Sequence, residues 1–158
     1  SIGDTLTTSK EKFAYEGIPT FAPEHFARVR QVDTMKRKQF VKGINQIAQE
    51  GAIQIFQEYN TGMEVIIVGV VGVLQFDVLK YRLNNEYNVE IRLENLPYEY
   101  IRWIENEDVD MDHLSGTSDM KKIKDLKDRP LLLFAHEWSI RMTEERNKGL
   151  ILSEFGRS

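Results

Sequence analysis

Phe40, Ile44, Ile47 and Ala48 recur at i, i+4, i+7 and i+8, the spacing that gathers side chains on one face of a helix. Lys36, Arg37, Lys38, Lys42, Asn45 and Gln49 point in the other directions. Asp33 stands before this stripe as an N-cap, and Gly51 follows it as the residue that tolerates a left-handed C-cap. Upstream, Phe21 to Gln31 reads as a strand with Phe26 and Val29 near its centre. Downstream, Ile53 and Ile55 alternate with Gln54, Asn60-Thr61-Gly62 reads as a turn, and Val65 to Val71 returns as a buried strand. Gly72 then marks a strand-to-helix junction. Phe76, Leu79, Leu83 and Tyr87 give a second helix over Val73 to Tyr87, ended by Asn88. Val89, Ile91 and Leu93 alternate with Glu90, Arg92 and Glu94, a clear period-two strand.

Strand, helix, strand, strand, helix, strand is the ferredoxin-like βαββαβ order, an α+β arrangement with both helices on one face of an antiparallel sheet. It covers residues 21–94. Residues 95–158 read as a further α/β extension: a strand at Tyr98 to Ile104, an irregular acidic loop from Glu105 to Ser118, and a short charged helix from Asp119 to Asp128 stopped by Pro130. A strand at Leu131 to Ala135, a helix at Trp138 to Arg146 and a strand at Leu150 to Phe155 complete it. Residues 1–20, punctuated by Gly3-Asp4 and Gly17-Ile18-Pro19, do not read as a self-contained unit, and Ser1 in place of methionine fits a piece of a longer protein.

The 158 residues contain no cysteine, which excludes disulfides and thiolate metal sites and fits a cytoplasmic protein. No segment approaches the roughly 20 apolar residues that span a bilayer, so no membrane partner is expected. A net charge of −4 argues against a general nucleic-acid binder. The charge is uneven, however. Arg28, Arg30, Lys36, Arg37, Lys38 and Lys42 lie together against only Glu24 and Asp33, whereas Glu105, Glu107, Asp108, Asp110, Asp112 and Asp119 lie in a stretch without Lys or Arg. The six cations are the candidate contact set for RNA phosphates, each through a salt-sensitive interaction. An ordinary solvated helix face explains the same lysines.

Catalytic chemistry is not legible. A phosphate loop needs GxxxxGK[ST], so that backbone N–H groups wrap the phosphates, and no such run exists. Asn147-Lys148-Gly149-Leu150 begins like a guanine-reading NKxD motif, but Leu150 replaces the aspartate and a turn is the expectation. His25, His113 and His136 share no metal-ligand spacing. Asp108, Asp110 and Asp112 alternate, yet lack the glycine and closing glutamate of a calcium loop. Gly72 to Phe76 loosely resembles the acylphosphatase loop, but Asp77 stands where phosphate binding needs an arginine. No catalytic, cofactor or metal residue is assigned.

Longer runs carry a family resemblance. GIPTFAPEHFARVR (residues 17–30), MKRKQFVKGINQIAQEGAIQIF (35–56) and VGVVGVLQFDVLKYRLNNEYNVE (68–90) resemble the release factor 3 family, the class II release factors among the translational GTPases. Arg102-Trp103 and Trp138 through Glu145-Arg146 are similar to its tail. Elongation factor G carries a similar third domain, with Gly-Glu-Leu-His-Leu where this chain has Gly72-Val73-Leu74-Gln75-Phe76. The resemblance implies that Gly3 to Leu6 closes a preceding β-barrel domain, making residues 1–20 its end and linker and residues 21–158 a C-terminal release-factor domain. It further implies a ribosome-interacting, non-enzymatic part of a termination GTPase that promotes GTP-dependent departure of class I release factors. GTP and Mg²⁺ then belong to a preceding domain. The implied partners are the small ribosomal subunit, the class I factor, and the GTPase and barrel domains of the same polypeptide. The alternatives are the equivalent domain of an elongation factor G relative and a stand-alone ferredoxin-like regulatory module.

Overall fold

In strand β1 (His25–Gln31), Ala27 and Val29 are buried on one side and Phe26 on the other, which requires a sheet covered on both faces. The computed structural model describes residues 22–59 and 65–154. The expected turn at Asn60 to Gly62, the expected barrel strand at Gly3 to Leu6, and Phe21 and Phe155 lie outside those residues.

After β1 come α1 (Arg37–Gln49), β2 (Gln54–Glu58), β3 (Ile66–Val70), α2 (Leu74–Tyr87) and β4 (Ile91–Leu96). These four strands lie in the order β4-β1-β3-β2 with antiparallel neighbours, the ferredoxin-like sheet. The side-chain period decides the faces. Ala27, Val29, Ile55, Val68 and Ile91 meet Phe40, Ile44 and Ile47 of α1 and Phe76, Leu79 and Leu83 of α2 in the first core. The helices touch closely: a Cβ added to Gly43 would stand 2.7 Å from Leu83 Cδ2 and 2.8 Å from the Tyr87 ring.

The helix ends follow local chemistry. Asp33 accepts from the Met35 N–H at 2.9 Å, capping a 3₁₀ turn at Thr34–Lys36 that runs into α1. Asn88, at φ 58°, ends α2 in the left-handed conformation, with the next N–H, of Val89, bonded to the Leu83 carbonyl at 2.9 Å.

The extension continues the same sheet. β5 (Tyr100–Ile104), β6 (Lys121–Asp125), β7 (Pro130–Phe134) and β8 (Leu152–Ser153) add in the order β6-β7-β5-β8 beside β2, with Phe56 opposite Asp125. Phe26, Phe56 and Ile67, on the face without helices, form a second core with Ile101, Trp103, Ile123, Leu131 and Leu133. Helix α3 (Glu137–Arg146) covers the other side of β7 through Ile140, which joins Leu132, Phe134, Ile104, Met111 and Leu114 in a third core. β7 is therefore buried on both faces.

One expected element is different. Asp119 to Asp128 is not a helix: Lys121–Asp125 is a strand paired with β2 and β7. Asp125 organises the hairpin turn, its Oδ1 accepting from the N–H of Lys127 and of Arg129 at 2.9 Å each, and Asp128 adopts φ 64°. Pro130 opens β7 rather than stopping a helix. A helix here would have offered only Met120, Ile123 and Leu126 as apolar anchors; the strand buries Ile123 completely.

Candidate functional site

The six basic residues divide between the two sides of the sheet. Strand β1 sends Ala27 and Val29 toward the helices, so Arg28 and Arg30 project the opposite way. Arg28 is enclosed: its Nε donates to Glu58 Oε2 at 2.7 Å and its Nη1 to Glu94 Oε1 at 3.1 Å, and Lys121 Nζ approaches Glu58 Oε1 at 3.6 Å. Burial works against the Arg28 charge, but the hydrogen bonds to Glu58 and Glu94 outweigh it and raise its pKa. Arg30 is exposed at the margin of this cluster, 4.0 Å from Glu94.

The other four lie on the helical side. Lys36 Nζ donates to the Asn88 carbonyl at 3.1 Å, beyond the C-terminal end of α2, where partial negative charge favours a cation. Arg37 donates to Gln31 Oε1 at 3.0 Å, and its guanidinium lies 5.6 Å from the centre of the Phe40 ring. Lys38 and Lys42 are exposed, one helical turn apart on α1. Lys38 and Lys42 thus present their charges to solvent, whereas Lys36 and Arg37 also fasten α1 to its neighbours.

The acidic stretch serves structure. Asp110 caps the 3₁₀ turn Met111–His113 by accepting from the Asp112 N–H at 3.1 Å, and its hydrogen bond with His113 lowers the Asp110 pKa and raises that of His113. Met111 and Leu114 are buried in the third core, and Lys122 Nζ donates to the Met111 carbonyl at 2.6 Å. Asn147, from the NKGL run, accepts from the Ser115 N–H at 3.0 Å and donates back to the Ser115 carbonyl at 2.5 Å. The irregular acidic loop is consequently fastened along much of its length. Among the described residues, no group of three or more His, Asp or Glu side chains is placed to hold a metal ion.

Two features escaped the sequence reading. Asp119 joins the start of β6 to α3: it accepts from Ser139 Oγ at 2.8 Å, from the Ala135 N–H at 2.9 Å, and from the Thr117 hydroxyl. Burial alone would raise its pKa, but these hydrogen bonds hold it at about 2. Nothing local marks Asp119, because its partners lie up to 20 residues away. The second feature is apolar. Leu74, Val78 and Tyr81 stand exposed on α2, together with Val71 and Val73 just before it. Their i, i+4, i+7 spacing was visible in the sequence beside the buried Phe76–Leu79–Leu83 stripe.

Comparison with known proteins adds to this geometry. The family model described as "Class II release factor RF3, C-terminal domain" matches residues 15–144. Among curated relatives named peptide chain release factor 3, one from Symbiobacterium thermophilum is 49% identical over 150 residues, which are 95% of this chain and 28% of that protein. One from Listeria welshimeri is 43% identical over 152 residues, 96% of this chain and 28% of that protein. One from Streptococcus pyogenes is 40% identical over 153 residues, 97% of this chain and 29% of that protein. The chain therefore spans less than a third of the length of these relatives.

Proposed function

The chain belongs to the family of class II release factor C-terminal domains, and from that premise we propose that it is the ribosome-docking part of a translation-termination GTPase. In this reading the whole protein works in the cytoplasm and uses GTP to promote departure of class I release factors from the ribosome. The family match over residues 15–144 carries the proposal.

The residues of this chain do not fit GTP. No GxxxxGK[ST] run is present to wrap phosphates, and Leu150 occupies the position of the base-reading aspartate. Nucleotide and Mg²⁺ are assigned to the preceding GTPase domain, and no hydrolytic step is assigned here. The domain contributes shape. Three apolar cores and both covered faces of one continuous sheet make a stiff body, suited to transmitting a change of position between two interfaces. Lys38 and Lys42 on α1 are the cations best placed for rRNA of the small subunit.

A free-standing RNA-recognition module fits less well, because the helix-free sheet face that such modules open to bases is buried in the second core. The elongation factor G reading yields to the release factor 3 family match. The test follows a labelled class I release factor on terminated ribosomes. Addition of the full-length protein with GTP accelerates its departure; an unchanged rate rejects the proposal.

A further inference from the structure

Strand β4 ends the sheet, and among the described residues β1 is its one neighbour. The Val32 N–H bonds to the Glu90 carbonyl at 3.0 Å, in register with the facing pairs Arg30–Arg92 and Arg28–Glu94. An antiparallel ladder uses alternate residues, so Glu90, Arg92, Glu94 and Leu96 turn their backbone groups toward β1. Ile91, Leu93 and Asn95 turn theirs outward, where no described residue bonds to the N–H or the carbonyl of any of the three. No proline or bulge interrupts the strand. An open margin of this kind is a template for one more strand.

A groove of about 1160 Å³ opens beside this margin. Leu93 and Asn95 line it, with Val73 from the helical side of the sheet and Tyr98, which packs against the second core, from the other. Small-ligand clefts hold roughly 300–1,000 Å³, whereas a larger groove beside a row of open backbone groups suits an extended chain. Charge selects which chain. Glu24, Asp77, Glu99, Glu137 and Glu154 line the groove, all exposed, and none has an ion-pair partner among the described residues. Against them stand Lys80 and Arg102, and the Arg102 Nη1 already donates to the Ile101 carbonyl at 2.7 Å. Carboxylates in that excess repel phosphate and attract lysine and arginine. We propose that β4 accepts an extended, lysine- and arginine-rich segment of another protein as an added strand. The outward backbone groups of Ile91, Leu93 and Asn95 hold its main chain, and the carboxylates of the groove hold its cations. Such a contact does not depend on the termination activity proposed above.

The probe is a short fluorescent peptide alternating lysine and valine, titrated into the full-length protein at low salt. Its anisotropy is expected to rise and saturate, and hydrogen exchange of Leu93 and Asn95 to slow by about tenfold on binding. A matching peptide of glutamate and valine should bind at least about tenfold more weakly. Asn95→Pro removes an outward N–H without touching the β1 ladder, so it should weaken binding at least about tenfold at an unchanged melting temperature. Asn95→Thr should bind as the parent does. Glu99→Lys with Glu137→Lys, outside β4, should weaken binding by about tenfold at low salt and less at high salt. Absence of binding, equal affinity for the two peptides, or undiminished affinity in either the proline or the lysine variant overturns the proposal. Slow exchange of Leu93 and Asn95 in the free full-length protein also overturns it, because its own chain then covers this margin.

Discussion

Arg28 on β1 donates to Glu58 on β2 at 2.7 Å although β3 runs between the two strands. The same guanidinium holds Glu94 on β4, and Glu58 also faces Lys121 on β6. A single charged cluster thus links the outermost strand of the ferredoxin-like sheet to the first strand of the extension. Arg28→Met leaves Glu58 and Glu94 without the fork that joined them and is expected to destabilise the fold by about 1–3 kcal/mol. Arg28→Lys should recover only part, because an ammonium lacks the paired donor geometry. Denaturant midpoints for the three chains check this; equal midpoints contradict it.

Asp119 predicts acid sensitivity. Its folded pKa, about 2, lies below the ordinary value of 3.8, so its contribution is fully present above that ordinary value and is lost as pH falls from there toward 2. Melting temperature should fall across this window. Asp119→Asn should lower stability at neutral pH and flatten the acid limb. An acid limb as steep as the parent's assigns the sensitivity to other carboxylates.

Gly43 is the point of closest approach between α1 and α2. A methyl group there would press Leu83, which is fully buried, and the Tyr87 ring. Gly43→Ala is expected to cost about 1–3 kcal/mol despite alanine's better helix propensity. Leu83→Ala removes the facing side chain and should cost about 2–5 kcal/mol on its own. In the double variant the two costs should sum to more than is measured, because the alanine at position 43 then finds room. Strict additivity would mean that Leu83 does not oppose Gly43.

The exposed lysines of α1 carry the nucleic-acid prediction. In the full-length protein, Lys38→Glu with Lys42→Glu should weaken ribosome binding. The slope of log affinity against log salt should shrink by about one for each phosphate that the lysines no longer neutralise. Sedimentation with ribosomes at several salt concentrations measures both quantities. An unchanged slope removes this helix from the ribosome-facing surface.

The ferredoxin-like half was legible because its signals are local. Ile91 and Leu93 alternate with charged neighbours, Phe40 and Ile44 repeat at helical spacing, and Gly51 and Asn88 punctuate as left-handed residues should. Lys121–Asp125 was not legible. Its lysines and aspartates suit a solvated helix, and only pairing with Phe56 on one side and Leu131 on the other makes it a strand. Long-range pairing overrides such weak local preference. The basic set failed to hold together for a similar reason. Sequence proximity grouped Arg28 with Lys38, but the alternation of β1 sends Arg28 to the far face, where Glu58 and Glu94 from distant strands enclose it. The exposed α2 stripe was readable in principle; its spacing was masked by the stronger buried stripe beside it.

The proposed role, a docking body through which a GTP-driven factor acts on the ribosome, makes residues 22–158 indispensable to that action. The most direct measurement compares the full-length protein with the same protein ended before Ala22, following class I release factor departure from terminated ribosomes with GTP present. Truncation is expected to abolish the acceleration while the remaining part still binds GTP. Acceleration that persists without residues 22–158 would contradict the account.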